Sequence, residues 1–346
     1  MPDFNVNKVL FPKLPLVAAQ FKPPKDEDIE RAMRAVFPEH EMLALGVAGN
    51  ITMARVYKIQ MMNGMYALKI APAEVIKNEV VSNGIVKDRS NIPLPTIVYH
   101  TDDNRFNPAI PYPYFISQWI QGTAFLKAFN GASPVGKIIL IRKLARCIKE
   151  LHSIKFRQYG NIADEKRQFS KWSDYFNWYL NQLLTDQSII EVLSKPLVNL
   201  IKQVTEQKKS FVNSASGPVL IHNDCNGYNL LVEAFGNDNW SITGLIDFGD
   251  SLAGPPDIEM ARILLTFWDQ LDSYYLDVFL SEYGPLPEGW QIRAMLWGVC
   301  LLLHSVKDAM ESAEISPEPE KSELLEKVNQ RILVIRENLL RIRENV

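Results

Sequence analysis

Two apolar stretches in the second half of the chain each lead into acidic and amide side chains. Val219–Ile221 precedes Asp224, with Asn229 five residues further on, and Leu245–Ile246 precedes Asp247. Short apolar runs of this kind are typical of buried strands. A carboxylate at the tip of such a strand can meet a metal ion or a reacting hydroxyl group. The two stretches therefore predict a polar site built at two strand ends.

The order and spacing of these residues match the catalytic set of kinases, in which His-x-Asp-x-x-x-x-Asn precedes Asp-Phe-Gly. Here the set begins at His222 and ends at Gly249. Asp224 is expected to accept the proton of an acceptor hydroxyl or to orient it. Asn229 and Asp247 offer the hard oxygen atoms that Mg²⁺ prefers. A lone loop aspartate is more often a turn or capping residue, but the complete ordered set favours catalysis. His222 more often packs beneath the loop than acts as a base.

An inward-pointing lysine is predicted upstream, in the apolar strand pattern Tyr66–Ile70. Burying Lys69 is costly unless the ammonium group is paired, so it should meet phosphate oxygens and a carboxylate. Glu79, in the following predicted helix, is the best partner, and Glu74 is the competitor. The alternative is an edge lysine that reaches solvent along its aliphatic stem.

Composition narrows the class of protein. The chain has 346 residues, enough for two lobes, and is 47% hydrophobic and 22% charged, as in ordinary folded proteins. A net charge of −3 gives no broad cationic field, which argues against nucleic-acid binding.

The three distant cysteines, Cys147, Cys225 and Cys300, form neither a disulfide framework nor a zinc site and fit a reducing compartment. The first residues lack a signal pattern. The most apolar run, Ala294–Leu303 with one glycine, is about half the ~20 residues of a membrane span. A cytoplasmic protein without membrane contact is expected.

The first third of the chain is predicted to form a small antiparallel sheet with helices. Residues 1–25 read as an irregular arm, and Asp26 is expected to cap a helix that ends near Phe37. An Asn63-Gly64 turn between alternating runs is a strong hairpin signal. The predicted strands are Met42–Val47, Thr52–Met61, Met65–Ile70, Thr96–His100 and Tyr112–Ile120, with a helix over Ala73–Val86 and a glycine-containing turn over Gly46–Asn50.

From Gly136 onward helical periodicity dominates. The last helix is expected to be capped by Ser316, and its apolar residues from Leu325 to Ile342 alternate steps of three and four. That period can mark a coiled-coil seam, although a long helix lying on its own domain is favoured.

On these motifs the chain resembles the aminoglycoside phosphotransferase/choline kinase-like family, the small-molecule branch of the kinase fold. The resemblance rests on His222–Val232 and Gly244–Asp250, with support from Tyr66–Lys69 and Ser117–Gly122. The details near Asn226 are most similar to hydroxylysine kinase-like members, and homoserine kinase-like members come next.

The resemblance implies an α+β, two-lobed protein-kinase-like fold, with a small antiparallel-sheet N-lobe (residues 1–120) and a larger, mainly helical C-lobe (residues 121–346). ATP would lie in the cleft between them. It would contact Gln118, Trp119 and Ile120 through its adenine, and Lys69 through its phosphates, with Asn229 and Asp247 on Mg²⁺. The Gly46–Asn50 turn, with Gly49 and Asn50, could place backbone N–H groups on the phosphates.

Three departures from the family pattern stand out. The interval from Lys69 to Glu79 is short for the family's pair of a strand lysine and a helix glutamate. Asn223 occupies a position where many relatives have glycine. The family's Asp-Leu-Ala after the metal-binding aspartate appears as Glu259-Met260-Ala261, which leaves Glu259 and Asp257 as the two candidates for that structural role.

The predicted activity is ATP-dependent phosphorylation of a hydroxyl group on a small, amine-bearing molecule, by a monomer or homodimer. The aromatic segment Trp172–Tyr179 and the acids Asp174, Asp250, Asp269 and Asp272 could hold the amine, although an aromatic stripe is more often core. The alternatives are an aminoglycoside phosphotransferase of antibiotic resistance, and a nucleotide-binding scaffold without turnover. A protein acceptor is disfavoured because Glu259 follows Gly249 too soon for a long activation loop.

Overall fold

An antiparallel sheet of five strands occupies the first third of the computed structural model, which describes residues 23–51, 54–101, 110–236, 238–267 and 273–344. The spatial order is β1-β2-β3-β5-β4. Helix α1 covers Asp26–Val36 and helix α2 covers Ala73–Arg89. The strands are β1 (Met42–Ile51), β2 (Ala54–Met61), β3 (Gly64–Ile70), β4 (Ile97–Thr101) and β5 (Tyr114–Gln118).

The two faces of β3 are covered by different helices. Leu68 and Ile70 join a core cluster with Ile29 and Met33 of α1. Because successive side chains alternate between the faces of a strand, Lys69 points to the other face, on the side of α2. Alternation within β3 therefore decides where this lysine lies.

The rest of the chain is mainly helical and includes two small sheets, in the orders β11-β10-β6 and β8-β7-β12-β9. The strands are β6 (Thr123–Ala124), β7 (Tyr159–Asn161), β8 (Gln168–Phe169), β9 (Val219–Ile221), β10 (Leu230–Ala234), β11 (Trp240–Leu245) and β12 (Leu252–Gly254). The helices are α3 (Phe125–Gly131), α4 (Pro134–Leu151), α5 (Trp172–Thr185), α6 (Gln187–Val192), α7 (Lys195–Gln207), α8 (Lys209–Asn213), α9 (Glu259–Phe267), α10 (Ser273–Tyr283), α11 (Trp290–Ile315) and α12 (Glu320–Glu344). The predicted α+β class is confirmed, whereas the lobe boundary at residue 120 stays a prediction.

Helix α12 lies against α11, and both contribute to one large core. The buried face of α12 includes Val328, Ile335, Leu339 and Ile342. The apolar repeat of α12 thus packs against the helix's own chain, as expected from the sequence. Among the described residues, none of the helices has the length and apolarity required to cross a bilayer.

Three local predictions are wrong. The segment Gly46–Asn50 is part of β1, where it pairs with β2 across a register shift between Val47 and Gly49, because glycines are also accommodated at a bulge. Asp26 is the first residue inside α1 rather than its cap: Lys25 occupies the cap position, and its N–H donates to Asp28 Oδ2 at 3.3 Å.

The start predicted for the last helix is also wrong. Helix α11 extends to Ile315, and Ser316 ends it by donating its hydroxyl to Ser312 O at 2.9 Å. Helix α12 therefore begins later, at Glu320. The arm predicted for residues 1–25 falls almost entirely outside the described residues.

A glycine in β7 generates a stability prediction. Gly160 has a φ of +114°, and a Cβ atom there would lie 2.1 Å from the carbonyl oxygen of Arg167. Gly160→Ala is expected to lower the free energy of unfolding by more than about 1 kcal/mol, because both the backbone at position 160 and the segment that carries Arg167 must shift. Chemical denaturation measures the change.

Gly131→Ala is the matched control, since no atom lies within 4 Å of the added Cβ and φ is ordinary. Equal stabilities for the two variants would contradict the strain assigned to Gly160.

Candidate active site

Lys69 on β3 lies between two carboxylates from different parts of the chain. Its Nζ is 2.6 Å from Glu79 Oε2 on α2 and 2.7 Å from Asp247 Oδ1 after β11. Although burial lowers it, Asp247 and Glu79 together raise the pKa of Lys69 well above its usual range. The lysine is therefore a buried, permanent cation. Of the two candidate partners on α2, the structure places Glu79 against it.

Asp247 is held as an anion in a strained backbone conformation. Its φ is +69°, which is uncommon for a residue with a side chain and is sustained only by surrounding contacts. Burial alone would raise the pKa of Asp247, but Lys69 keeps it below its usual value. The hairpin of β10 and β11 sets its position, because Ile246 N donates to Asn229 O at 2.9 Å. Asn229 and Asp247 thus flank the open end of one hairpin.

Helix α2 fixes the loop that follows Asp247. Asn78 Nδ2 donates to Gly249 O at 2.9 Å and to Ser251 O at 2.8 Å. A Cβ atom at Gly249 would lie 2.7 Å from Val75 Cγ1, so the loop can approach the helix this closely only with glycine there. The helix that carries Glu79 therefore also positions the loop that carries Asp247.

Asp224 collects polar partners from its own loop and from α9. Asn229 Nδ2 and Asn226 Nδ2 donate to Asp224 Oδ2 at 2.7 and 3.1 Å, and Arg262 Nε lies 3.3 Å from Oδ1. Burial raises the pKa of Asp224 to about 6; Arg262 opposes the increase and the nearby Asp250 adds to it. A carboxylate of this kind is ionised at neutral pH but can still take up a proton.

His222 and Glu259 hold the backbone beneath Asp224. His222 Nε2 is 2.9 Å from Ile246 O, to which it must donate, and Nδ1 accepts from Asp224 N at 3.3 Å. Both ring nitrogens are therefore used within the loops. The fully buried Glu259 accepts the N–H groups of His222 and Asn223 at 2.6 and 3.2 Å. Of the two acids left open by the sequence, Glu259 contacts this loop and Asp257 pairs with Arg293.

Asn223 adopts a backbone conformation that suits asparagine or glycine. Its φ is +62°, in the left-handed region that asparagine tolerates better than most residues. Its side chain accepts from Trp297 Nε1 at 2.9 Å and donates to Asp250 O at 3.2 Å. The departure from the family's glycine is thus compatible with the required turn and adds two hydrogen bonds.

The predicted adenine-contacting residues lie where β5 leaves the sheet. Gln118 N donates to Thr96 O and Trp119 N to Met65 O, each at 2.9 Å. Ile120 packs so closely on Gly244 that an added Cβ there would be 2.6 Å from Ile120 Cδ1. The segment therefore contacts both the five-stranded sheet and β11. For Gly49 and Asn50 the structure gives only their pairing with Val56 and Arg55.

The predicted acceptor residues divide into separate regions. Trp172, Tyr175 and Phe176 are buried in the core. Asp174 lines a cleft of about 680 Å³ between α5, α7 and α8, whose lining does not include Asp224. Asp269 and Asp272 lie outside the described residues.

One wall of the site connects the loop of Asp224 to α5 and α11. The ring centroids of Trp297 and Tyr179 are 5.3 Å apart, and Tyr179 Oη is 3.0 Å from His304 Nδ1. His304 Nε2 lies 3.6 Å from Asp308 Oδ1. Burial raises the pKa of Asp308, with a further contribution from Asp250.

Several residues that build the site were not singled out from the sequence. They are Arg262, Trp297, Asn78, His304 and Asp308. Arg262 had a usable signal, because it follows Glu259 by three residues and so shares its face of a helix. The others lie far from the motifs along the chain, and only the tertiary fold brings them near.

The conformation of Asn223 generates a prediction. Alanine and glycine both remove its two side-chain hydrogen bonds, but only alanine retains the steric penalty of a positive φ. We expect Asn223→Ala to be less stable than Asn223→Gly by about 1–2 kcal/mol. Thermal or chemical unfolding of the two variants measures the difference.

Asn177 is the matched control, because it is exposed in the middle of α5. There the order should reverse, with glycine about 1 kcal/mol less stable than alanine. The same order at both positions would contradict the role assigned to the backbone of Asn223.

Solved structures of similar fold include two aminoglycoside phosphotransferases and a protein assigned as a fructosamine-3-kinase. The GDP complex of wild-type aminoglycoside 2'-phosphotransferase-IIIa is 14% identical with a TM-score of 0.63, covering 89% of this chain and 99% of that one. The ADP-bound aminoglycoside phosphotransferase APH(2'')-Ib is 18% identical with a TM-score of 0.63, covering 91% and 99%. The fructosamine-3-kinase, from Thermobifida fusca, is 16% identical with a TM-score of 0.60, covering 88% and 98%. The predicted kinase-like fold is thereby confirmed.

Sequence comparison identifies the family. None of the curated proteins matches the chain significantly. The model of the phosphotransferase enzyme family matches residues 53–296, which is more than half of the chain and includes Tyr66–Lys69, His222–Val232 and Gly244–Asp250. The match confirms the small-molecule kinase class predicted from those motifs. The chain therefore belongs to the phosphotransferase enzyme family.

Proposed function

We propose that the protein is an ATP-dependent O-phosphotransferase acting on a hydroxyl group of a small, amine-bearing molecule. The observation that carries the proposal is the convergence of a buried cation, Lys69, with Asp247 on one side of the hairpin end and Asp224 on the other. Asn229 joins the two sides. Its side-chain amide donates to Asp224 at 2.7 Å, and its backbone carbonyl accepts from Ile246 N at 2.9 Å.

The nucleotide end of the site is assigned to Lys69, Asp247 and Asn229. The ammonium group of Lys69 suits phosphate oxygens, and the partly exposed carboxylate of Asp247 suits a divalent cation. Because the amide nitrogen of Asn229 is used by Asp224, its amide oxygen is the atom left for Mg²⁺. Among the described residues, no cluster of three His, Cys, Asp or Glu could hold a metal by itself, which fits a cation bound through one or two protein oxygens plus phosphates. Bound Mg²⁺ would neutralise charge on the phosphates.

Adenine is assigned to the segment of Gln118, Trp119 and Ile120. Because the N–H groups of Gln118 and Trp119 are used by the sheet, the carbonyl groups and Ile120 N are the atoms left for the base. Gly49 and Asn50, in β1, are the proposed backbone contacts of the phosphates. The solved structures of similar fold that are bound to GDP and ADP support a nucleotide ligand for this fold.

Asp224 is the proposed group at the acceptor. In the reaction, the acceptor oxygen forms a bond to the γ-phosphorus of ATP, the bond to the bridging oxygen breaks, and ADP leaves. The hydroxyl proton passes to Asp224. Arg262 favours the ionised carboxylate before transfer, while burial helps it to accept the proton, consistent with the pKa of about 6.

The acceptor is expected to carry an amine because acids are gathered on its side of the site. Burial raises the pKa of Asp224 and that of Asp308, and the nearby Asp250 raises both further. A cationic substrate would relieve this repulsion, and the ring of Tyr179 offers a face for it. A hydroxy amino acid or an amino alcohol fits best. An aminoglycoside is the second candidate, supported by the fold of the solved relatives.

The remaining alternative is a nucleotide-binding scaffold without turnover. The presence of Lys69, Asp224, Asn229 and Asp247 in hydrogen-bonded positions weighs against it. We also propose a cytoplasmic setting, which suits three cysteines that are all buried and unpaired.

Replacing the proposed base tests the reaction. Asp224→Asn, which keeps the size of the side chain, is expected to lower kcat by a factor on the order of 10²–10⁴. Phosphate transfer from magnesium–ATP is measured with a panel of hydroxy amino acids, amino alcohols and aminoglycosides. Calorimetry should show unchanged nucleotide binding in the variant. Undiminished turnover would refute the role of Asp224, and ATP binding without turnover on any acceptor would favour the scaffold.

Replacing an acid in the wall tests the amine. Asp308→Asn is expected to raise KM for an amine-bearing acceptor roughly tenfold, corresponding to about 1.4 kcal/mol, with KM for ATP unchanged. Steady-state kinetics on the best acceptor of the panel measure both constants. Asp174→Asn is the control, because Asp174 lines the other cleft. Equal effects of the two substitutions would remove the argument for Asp308.

A further inference from the structure

His152 is a buried polar residue at the end of α4 that the proposed mechanism does not use. Its side chain is only 5% exposed. Nδ1 lies 2.7 Å from Tyr283 Oη, and the two rings meet edge to face at 83°. Nε2 is buried without a hydrogen-bond partner, 3.8 Å from Glu259 Oε2. A buried donor or acceptor left unpaired is costly, so the side chain at this position calls for a physical reason.

Glu259 gives that reason, because it holds the loop that carries Asp224. Its carboxylate accepts the N–H groups of His222 and Asn223 at 2.6 and 3.2 Å and is completely buried. A buried carboxylate needs partners for its remaining lone pairs. Burial alone would raise the pKa of Glu259, but His152 and the nearby His222 keep it below the usual value. His152 thus approaches Oε2, the same carboxylate oxygen that accepts the N–H group of His222.

The contact with Tyr283 leaves Nε2 as a donor in either charge state of the imidazole. Burial, with the nearby Glu259 and Asp257, raises the pKa of Tyr283, so its hydroxyl stays protonated. When the imidazole is neutral, the tautomer with its proton on Nε2 is favoured, because the other would turn a lone pair towards the Glu259 carboxylate; the hydroxyl then donates to Nδ1. When the imidazole is cationic, both nitrogens carry protons and the hydroxyl accepts. In both cases an N–H group faces Glu259.

We propose that His152 is a positioning residue for phosphoryl transfer. Through Nε2–H it holds the Glu259 carboxylate against the backbone amides of His222 and Asn223. It thereby fixes the position of the Asp224 carboxylate relative to the acceptor hydroxyl. This inference rests on the proposed role of Asp224 in transfer. The chain of contacts runs from Tyr283 on α10 through His152, directly after α4, to Glu259 on α9, so three helices together position one catalytic loop.

Two substitutions at position 152 separate positioning from packing. His152→Leu fills the space without a donor, whereas His152→Gln can place an amide N–H near the position of Nε2. In the leucine variant kcat should fall by a factor on the order of 10 to 10², with KM for ATP and acceptor unchanged. The glutamine variant should recover most of kcat. Leu151→Val, one residue earlier in the core, is the control for loosened packing and should keep kcat.

Hydrogen exchange of the free protein gives a readout that does not depend on the acceptor. The amides of His222 and Asn223 should exchange faster in His152→Leu than in the wild type and His152→Gln. If the leucine variant does not fold, Tyr283→Phe, which removes one hydroxyl, should change exchange and kcat in the same direction and by less.

The proposal is overturned if both variants at position 152 fold and exchange like the wild type, or if glutamine is as damaging as leucine. Should no acceptor of the panel be phosphorylated, the function fails, yet the exchange comparison still decides whether His152 holds the loop.

Discussion

The structure depends on one buried cation shared by two carboxylates. Moving an ammonium group out of water costs several kcal/mol unless close partners compensate, and Lys69 finds them at 2.6 and 2.7 Å in Glu79 and Asp247. Those partners belong to a helix and to a loop 178 residues away. The pairing therefore fixes the register of β3, the position of α2 and the end of the β10–β11 hairpin relative to one another.

Two aspartates on neighbouring loops acquire opposite properties from their surroundings. Asp247 is next to Lys69, and its pKa is lowered despite burial. Burial raises the pKa of Asp224 to about 6. Its cationic neighbour, Arg262, is more distant than Lys69 is from Asp247, and other acids lie nearby. Divergent environments of this kind assign different roles to identical side chains. One carboxylate is suited to remain charged beside cations, and the other to exchange a proton.

The sequence predicted the features that depend on local pattern. Alternation in β3 placed Lys69 on the inner face, and two apolar runs placed Asp224 and Asp247 after strands. Local pattern could not choose between Asp257 and Glu259, because the choice depends on which acid meets the amides of a loop more than 30 residues away. It also placed a turn at Gly46–Asn50, where pairing with β2 extends the strand. Trp297 contributes through a tertiary contact with Asn223 that no spacing rule encodes.

The tight contact between the loop glycine and α2 has a consequence for how this family can vary. Gly249 and Val75 compete for the same space, since a Cβ on the first would lie 2.7 Å from Cγ1 of the second. Any homologue with a side chain at position 249 should therefore carry a smaller residue at position 75, and the two should change together during evolution. Such covariation would link α2, which lies beside the five-stranded sheet, to a loop of the helical half. Across homologues it would show that the contact between this helix and this loop limits which side chains each can carry.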